Sequence, residues 1–436
     1  MNGSESQISA GSPLALRDYR LLLTGMVVGQ ALMPLQFVTQ IFWIQQSADA
    51  DVRIVLVGLI GTVRGAGQLC FGLMGGALAD RYDRRRLLLA TQSIALLTTL
   101  STAAIISTGD ATAPSLAGFF LLSFLGSGMF AMNAPTRQAI MSEVLGSGLL
   151  ARGIALSAAS MQIALPVAIL SSGFLIDALG YAATYSLSAG GHATEIATLL
   201  FLRYRGTTRN AARPAGLFQD ALRDVREGWR YSRAHDRVFW VIMLMMAMVG
   251  LGQPAVANLG PTWVTTVVGV PVRYFGLIAI TWALGGILTA AYLARSTDGG
   301  VHGARVVAGA LGFAAAFLLF ASGHSWPFAV AGNLGLGASM SLAQISASSL
   351  LLTIVPNEVR GRVMSLLMLN MGVAQFVTLP LAALGQVLTL ELVFPVLAAV
   401  CFGMVALIAL TRPVIRRGGP ATIEEVVATA PERAPV

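Results

Sequence analysis

Gly76-Ala77-Leu78-Ala79-Asp80-Arg81-Tyr82-Asp83-Arg84-Arg85 packs five charged side chains into ten residues of a chain that is only 11% charged. Apolar runs flank it near 52–78 and 87–107, each about the ~20 residues that a membrane-crossing helix requires. Outward from it the pattern repeats. Further runs lie near 21–45, 115–135, 153–176 and 180–202, and a second set near 238–259, 274–294, 304–322, 326–350, 363–386 and 392–411. With 436 residues, 56% of them apolar, the chain can supply about a dozen spans and cannot shield its hydrophobic surface as a soluble globule does.

The only long polar stretch inside the chain, 203–237, separates the two sets. The organisation expected is a tail at 1–20, a six-helix bundle at 21–202, a linker at 203–237, a second six-helix bundle at 238–412 and a tail at 413–436. Within the linker, Leu217, Phe218, Ala221, Leu222, Val225 and Trp229 recur at helical spacing while Arg223, Arg226, Arg230 and Arg233 occupy other faces, which predicts an amphipathic helix. Leu78 to Asp83 after span two is echoed by Leu293 to Asp298 after span eight, and Ala151-Arg152-Gly153 by Val359-Arg360-Gly361. Such echoes are expected of a protein built from two related bundles.

All 28 basic residues are arginine, and only Arg53 and Arg273 fall in loops on one side while Arg64 falls within a span. Basic residues beside spans stay cytoplasmic, so both termini and the linker are placed inside a bacterial inner membrane crossed many times. The net charge of +8 then faces anionic lipid headgroups rather than nucleic acid. Without lysine, neither a phosphate-binding loop of the GxxxxGK[ST] type nor a Schiff base is possible. Cys70 and Cys401 and four scattered histidines lack metal-site spacing, so no metal or cofactor is expected, and both thiols read as buried.

The opening stretch resembles the loop signature of the major facilitator superfamily, G-x-x-x-D-[RK]-x-G-[RK]-[RK], with Asp83 where that family has glycine. Asn133 to Ala139, Arg223 to Tyr231 and Asn357 to Arg362 look like the branch containing the enterobactin exporter and macrolide efflux proteins. The resemblance implies an all-α membrane protein of twelve transmembrane helices in two pseudo-symmetric six-helix bundles, working as a secondary active transporter by alternating access and not as an enzyme. It also implies a cytoplasmic gate of Gly76, Asp80, Arg81, Arg84 and Arg85, which Arg137, Glu143, Glu358 and Arg360 would extend. Physically, the Asp80 carboxylate is suited to accept from the free N–H groups that open span eleven near Arg362.

Ionisable groups inside spans are the ones to explain, because a charge there costs about 2.5–3.5 kcal/mol. They are Arg64 in span two and Glu195 in span six, with His192 one turn away. In the family fold spans one, two, four and five and their counterparts line the cavity. Arg64 then either holds an anionic substrate or takes part in gating, or serves in an internal ion pair or as a cap on backbone carbonyls, and Glu195 with His192 form either a structural pair or a proton-coupling site. Gln36, Gln40, Asn133, Gln162, Asn258, Gln344 and Asn370, with Trp282, are the polar and aromatic groups expected to bind substrate. The favoured function is export of an amphipathic metabolite, siderophore or drug by a monomer, in exchange for protons, although the cavity-lining spans carry no mid-span carboxylate. The rivals are uptake or facilitated transport of an organic anion anchored by Arg64, and a transport-inactive receptor.

Overall fold

The computed structural model describes residues 12–204, 217–296 and 302–416, all helix, turn or coil. In the first half, α1 is Arg17–Ser47, α2 Arg53–Arg81 and α3 Arg84–Thr108. The helical run Ala113–Leu200 breaks where Gly146 (φ 62°) and Gly180 (φ 78°) adopt backbone angles that residues with a Cβ avoid, giving α4 (113–145), α5 (147–179) and α6 (181–200). The helix α7, Leu217–Ala234, lies in the linker. In the second half α8 is Asp236–Thr266, in which Pro254 is followed by a π-helical turn at Ala255–Leu259. Then come α9 Phe275–Arg295, α10 His302–Ser322, α11 Trp326–Ile354, α12 Asn357–Leu388 and α13 Leu390–Thr411.

Among the described residues, ten helices are long and apolar enough to cross a membrane. One of these, 148–200, is divided at Gly180, and α12 adds the shorter apolar segment Gly372–Leu388, so the described residues hold twelve spans. The linker and the described chain ends share one end of the molecule, the linker end, and the connections 48–52, 109–112 and 267–274 lie at the other.

Two departures from the sequence reading are physical. Span four does not stop near 135, because α4 runs on to 145: the polar residues of the extension find partners, Arg137 with Glu195 and Glu143 with Arg84 at 2.5 Å. Of the two thiols, Cys401 is buried but Cys70 is not covered by protein.

The halves are packed with different chemistry. The interior of the second is aromatic, with Phe313, Phe317, Phe320 and Phe394 at most 2% exposed and Trp263 stacked on Phe394 at 4.8 Å. The first buries Gln40, Gln92, Asn133, Arg137 and Glu195 among threonines and serines. Between halves, α2 packs on α12 and α5 on α9.

Those contacts close the end opposite the linker. Gln45 Nε2 donates to Thr262 Oγ1 at 2.6 Å, Gln386 Oε1 accepts from Ile54 N at 3.0 Å, and Gln386 Nε2 donates to Ala50 O at 2.9 Å. Arg273 lies 3.8 Å from Asp177, and Phe42 meets Phe275 edge-on at 5.2 Å. A Cβ at Gly276 would sit 2.3 Å from Leu170 O, so only glycine lets α9 come this close to α5.

Candidate functional site

A chamber of about 580 Å³ lies between the halves. Its wall is mostly apolar, with Phe37 from α1, Pro166 from α5, Phe275 and Trp282 from α9, and Phe320 from α10. Polar groups enter it at Arg64, Gln253, Asn258, Asn333, Ser341 and Gln375. The π-helical turn after Pro254 carries Asn258, whose Nδ2 donates to Gln375 Oε1 at 2.6 Å and to Thr378 Oγ1 at 3.0 Å. That pair ties α8 to α12 beside the chamber.

Arg64 comes from the middle of α2, with its guanidinium 4.5 Å from the centre of the Phe37 ring. Its Nη1 atom is buried and has no hydrogen-bond partner among the described residues. A ring face is a weak partner for a cation that has five N–H donors to satisfy. Arg64 also lines a second, smaller cleft of about 70 Å³ inside the first half, so one residue borders both spaces.

Several expected substrate groups lie in that inner cleft rather than in the chamber wall. Gln36 Nε2 is 3.1 Å from Thr99 Oγ1 and 3.2 Å from His192 Nε2. Gln40 Nε2 donates to Ser123 Oγ at 3.1 Å and Tyr185 Oη at 2.9 Å, and Asn133 faces Thr91. Asn370 Nδ2 reaches Met245 O at 3.2 Å, tying α12 to α8, and Gln344 stands one turn beyond Ser341, outside the residues that line the chamber. The side chain of Gln162 lies outside the described residues.

Arg137, grouped with the gate from its place after span four, turns into the inner cleft and pairs with Glu195, which also accepts from Gln92 Nε2. His192 does not pair with Glu195 directly, since its Nδ1 lies 2.7 Å from Gln92 Oε1. Gln92, Tyr185, Gln253, Asn333, Ser341 and Gln375 also line the two spaces and are not among the substrate groups expected from the sequence. For the amides the signal in the sequence is that such a group in a span needs a partner.

At the linker end, Asp83 Oδ1 accepts from Arg86 N at 2.8 Å and so caps the start of α3. Arg84 pairs with Glu143 at 2.5 Å, and Arg85 donates to Leu199 O and Leu200 O, both at 2.8 Å, covering carbonyls at the negative end of α6. Glu143 also accepts from the Tyr204 hydroxyl; burial and that carboxylate push the Tyr204 phenol up to about 12, so it stays a donor. Arg360 donates to Val355 O at 3.3 Å, and Arg362 bonds Glu227 of α7 at 2.7 Å. The side chains of Gly76, Asp80, Arg81 and Glu358 lie outside the described residues. No group of three or more potential metal ligands occurs among the described residues.

Fold and chamber define a multi-pass helical membrane protein whose two halves enclose a space for a small molecule. The family model of the Major Facilitator Superfamily matches residues 21–301, more than half of the sequence. The chain belongs to the major facilitator superfamily, and it is therefore a secondary transporter and not an enzyme. Among solved structures it is similar to a POT family transporter in complex with a thioalcohol-conjugated peptide, at TM-score 0.71 and 13% identity over 92% of this chain and 97% of that one. It is also similar to the nucleoside transporter NupG, at 0.72 and 13% over 90% and 98%, and to a D-xylose-proton symporter, at 0.70 and 14% over 91% and 97%. At these identities the likeness is one of fold. No curated protein matches the chain.

Proposed function

We propose that the protein exports an amphipathic organic compound bearing an acidic group, such as a carboxylate, catecholate or sulfonate, by alternating access through the chamber. The observation that carries this reading is Arg64, a residue of the chamber wall whose Nη1 atom is buried with no partner among the described residues. An anion beside Arg64 would offset a charge whose burial is otherwise costly, and a guanidinium fits a planar carboxylate with two hydrogen bonds. Phe37 and Trp282 offer ring faces for the apolar part, and Asn258 and Gln375 offer amides for its polar groups. Export is supported by the stretches Asn133 to Ala139 and Asn357 to Arg362, which resemble the enterobactin exporter and macrolide efflux branch. Arginine placement supports a bacterial inner membrane with the linker end in the cytoplasm, so the closed end described above is the outer one. Asp80, near the linker end of α2, is proposed to close the inner side against the start of α12, with Arg81 and Glu358 beside it.

The test uses the purified full chain in liposomes with labelled p-toluenesulfonate as an anionic probe and labelled N-methylquinolinium as a cationic one. Wild type exchanges the sulfonate in counterflow and leaves the cation behind; binding without exchange would instead identify a receptor. Arg64→Gln lowers sulfonate exchange at least about tenfold, a loss of about 1.4 kcal/mol in binding. Exchange undiminished in Arg64→Gln removes Arg64 from the site.

A further inference from the structure

The interior of the first half carries chemistry that holding a substrate in the chamber does not use. Its cleft is bordered by two cations, Arg64 of α2 and Arg137 of α4, and by three other titratable groups, Tyr185, His192 and Glu195 of α6. The lining residues from α1 and α3 are uncharged. Glu195 accepts from Arg137 Nη2 on one oxygen and from Gln92 Nε2 on the other. With its nitrogen committed to Glu195, Gln92 turns its oxygen to His192 Nδ1 at 2.7 Å, so that nitrogen carries the ring proton. His192 Nε2 is then left to accept from Gln36 Nε2 at 3.2 Å.

With the amides of Gln36 and Gln92 oriented as they stand, this arrangement fits a neutral imidazole and an ionised carboxylate. A proton added at His192 Nε2 would point at the N–H of Gln36. A proton added to Glu195 instead loosens its pair with Arg137, and Gly29 leaves room beside it, because a Cβ there would stand 3.1 Å from Glu195 Oε2. The carboxylate is thus the group in the cleft whose protonation the surrounding hydrogen bonds oppose least.

The charges fix the sign of the coupling. With Glu195 ionised, Arg64, Arg137 and Glu195 sum to one positive charge; protonation makes it two. Arg64 also borders the chamber, so the added charge strengthens an anion site there, and by linkage a bound anion strengthens proton binding equally. We propose that Glu195, held by Arg137, is the proton site of this transporter, and that proton and anionic substrate load together and cross in the same direction. This rests on the reading of Arg64 as the anion anchor. It replaces proton exchange with co-movement, in which net flow is outward wherever the cell's own production of the anion outweighs the proton gradient.

Two measurements on the full chain test it. Infrared titration without substrate follows the carboxyl C=O band: a band that grows on acidification in wild type and is missing in Glu195→Gln is expected, and a Glu195 that stays ionised until the protein unfolds overturns the proposal, whatever becomes of the anion reading. In liposomes with a pH dye inside, inward p-toluenesulfonate flux acidifies the lumen, and acid pH tightens sulfonate binding about tenfold. Glu195→Gln keeps sulfonate counterflow and loses the acidification. Arg137→Gln/Glu195→Gln, which removes both members of the ion pair together, does the same if the single variant fails to fold. Lumenal alkalinisation on sulfonate entry, or acidification that survives in the variants, overturns it. Failure of wild type to move sulfonate defeats the anion reading and with it the shared loading, while the infrared band still decides Glu195.

Discussion

Asp83 stands where the superfamily signature has glycine, and its hydrogen bond to Arg86 N explains the exchange: the side chain caps α3, whose first N–H groups have no partner within the helix. Asp83→Ala is expected to cost about 1 kcal/mol and Asp83→Gly only a few tenths, read as a lower thermal midpoint of the purified protein for alanine alone. Equal midpoints would mean that the cap adds nothing beyond the turn. The same scale shows what the sequence discloses about the site and what it hides. Arg64 and Glu195 are legible because a charge inside an apolar run always asks for a partner. Arg137 is not, because it follows Asn133-Ala134-Pro135-Thr136 and reads as loop, and its partner lies 58 positions away. Gln36 and Gln40 share a helix face, but periodicity cannot say whether that face meets the chamber or the bundle's own interior. The structure turns it inward to Thr99, His192, Ser123 and Tyr185.

At the level of elements, spans announce themselves because about 20 apolar residues in a row have few other uses. Their ends are less clear wherever polar residues continue a helix beyond the hydrocarbon, as α4 does to 145. The turns between spans five and six and between eleven and twelve correspond in the two halves, and each reverses direction through one residue of positive φ. In the first half that residue is Gly180 (φ 78°), and in the second it is Thr389 (φ 71°, ψ 148°), a β-branched side chain in a region kept almost wholly by glycine. The sequence gives no sign of this strain, since threonine is unremarkable between apolar runs. Thr389→Gly is expected to raise stability by about 1 kcal/mol and Gly180→Ala to lower it by at least as much, both measured as shifts in thermal unfolding in detergent. A lower midpoint for Thr389→Gly would mean that its side-chain contacts outweigh the backbone strain. The amphipathic spacing of α7 was equally readable, whereas its bond from Glu227 to Arg362 at the start of α12 depends on tertiary packing.

For the whole molecule, alternating access requires the two halves to part at the end where they now meet, and the contacts there are of a kind that can separate. Gln45 with Thr262, Gln386 with the backbone of residues 50 and 54, and Asp177 with Arg273 are hydrogen bonds and an ion pair near a membrane surface, where water can replace each partner. The glycine contact of Gly276 with Leu170 O adds close approach without interlocking side chains, so little has to be unthreaded when α9 moves from α5. The interiors of the halves are built differently: the aromatic packing around Phe394 and the buried ion pair of Arg137 with Glu195 each lie within one half and can move with it. Tying the closed end should therefore stop transport without disturbing either bundle. In a background with Cys70 and Cys401 changed to serine, Gln45→Cys with Thr262→Cys treated with a short cleavable bifunctional thiol reagent is expected to drop p-toluenesulfonate counterflow to the liposome background. Cleaving the link should restore it, and either single cysteine treated alike should keep at least half its flux. Full flux through a linked pair, with the link verified by mass, would show that these ends need not separate, and alternating access through this chamber would be wrong.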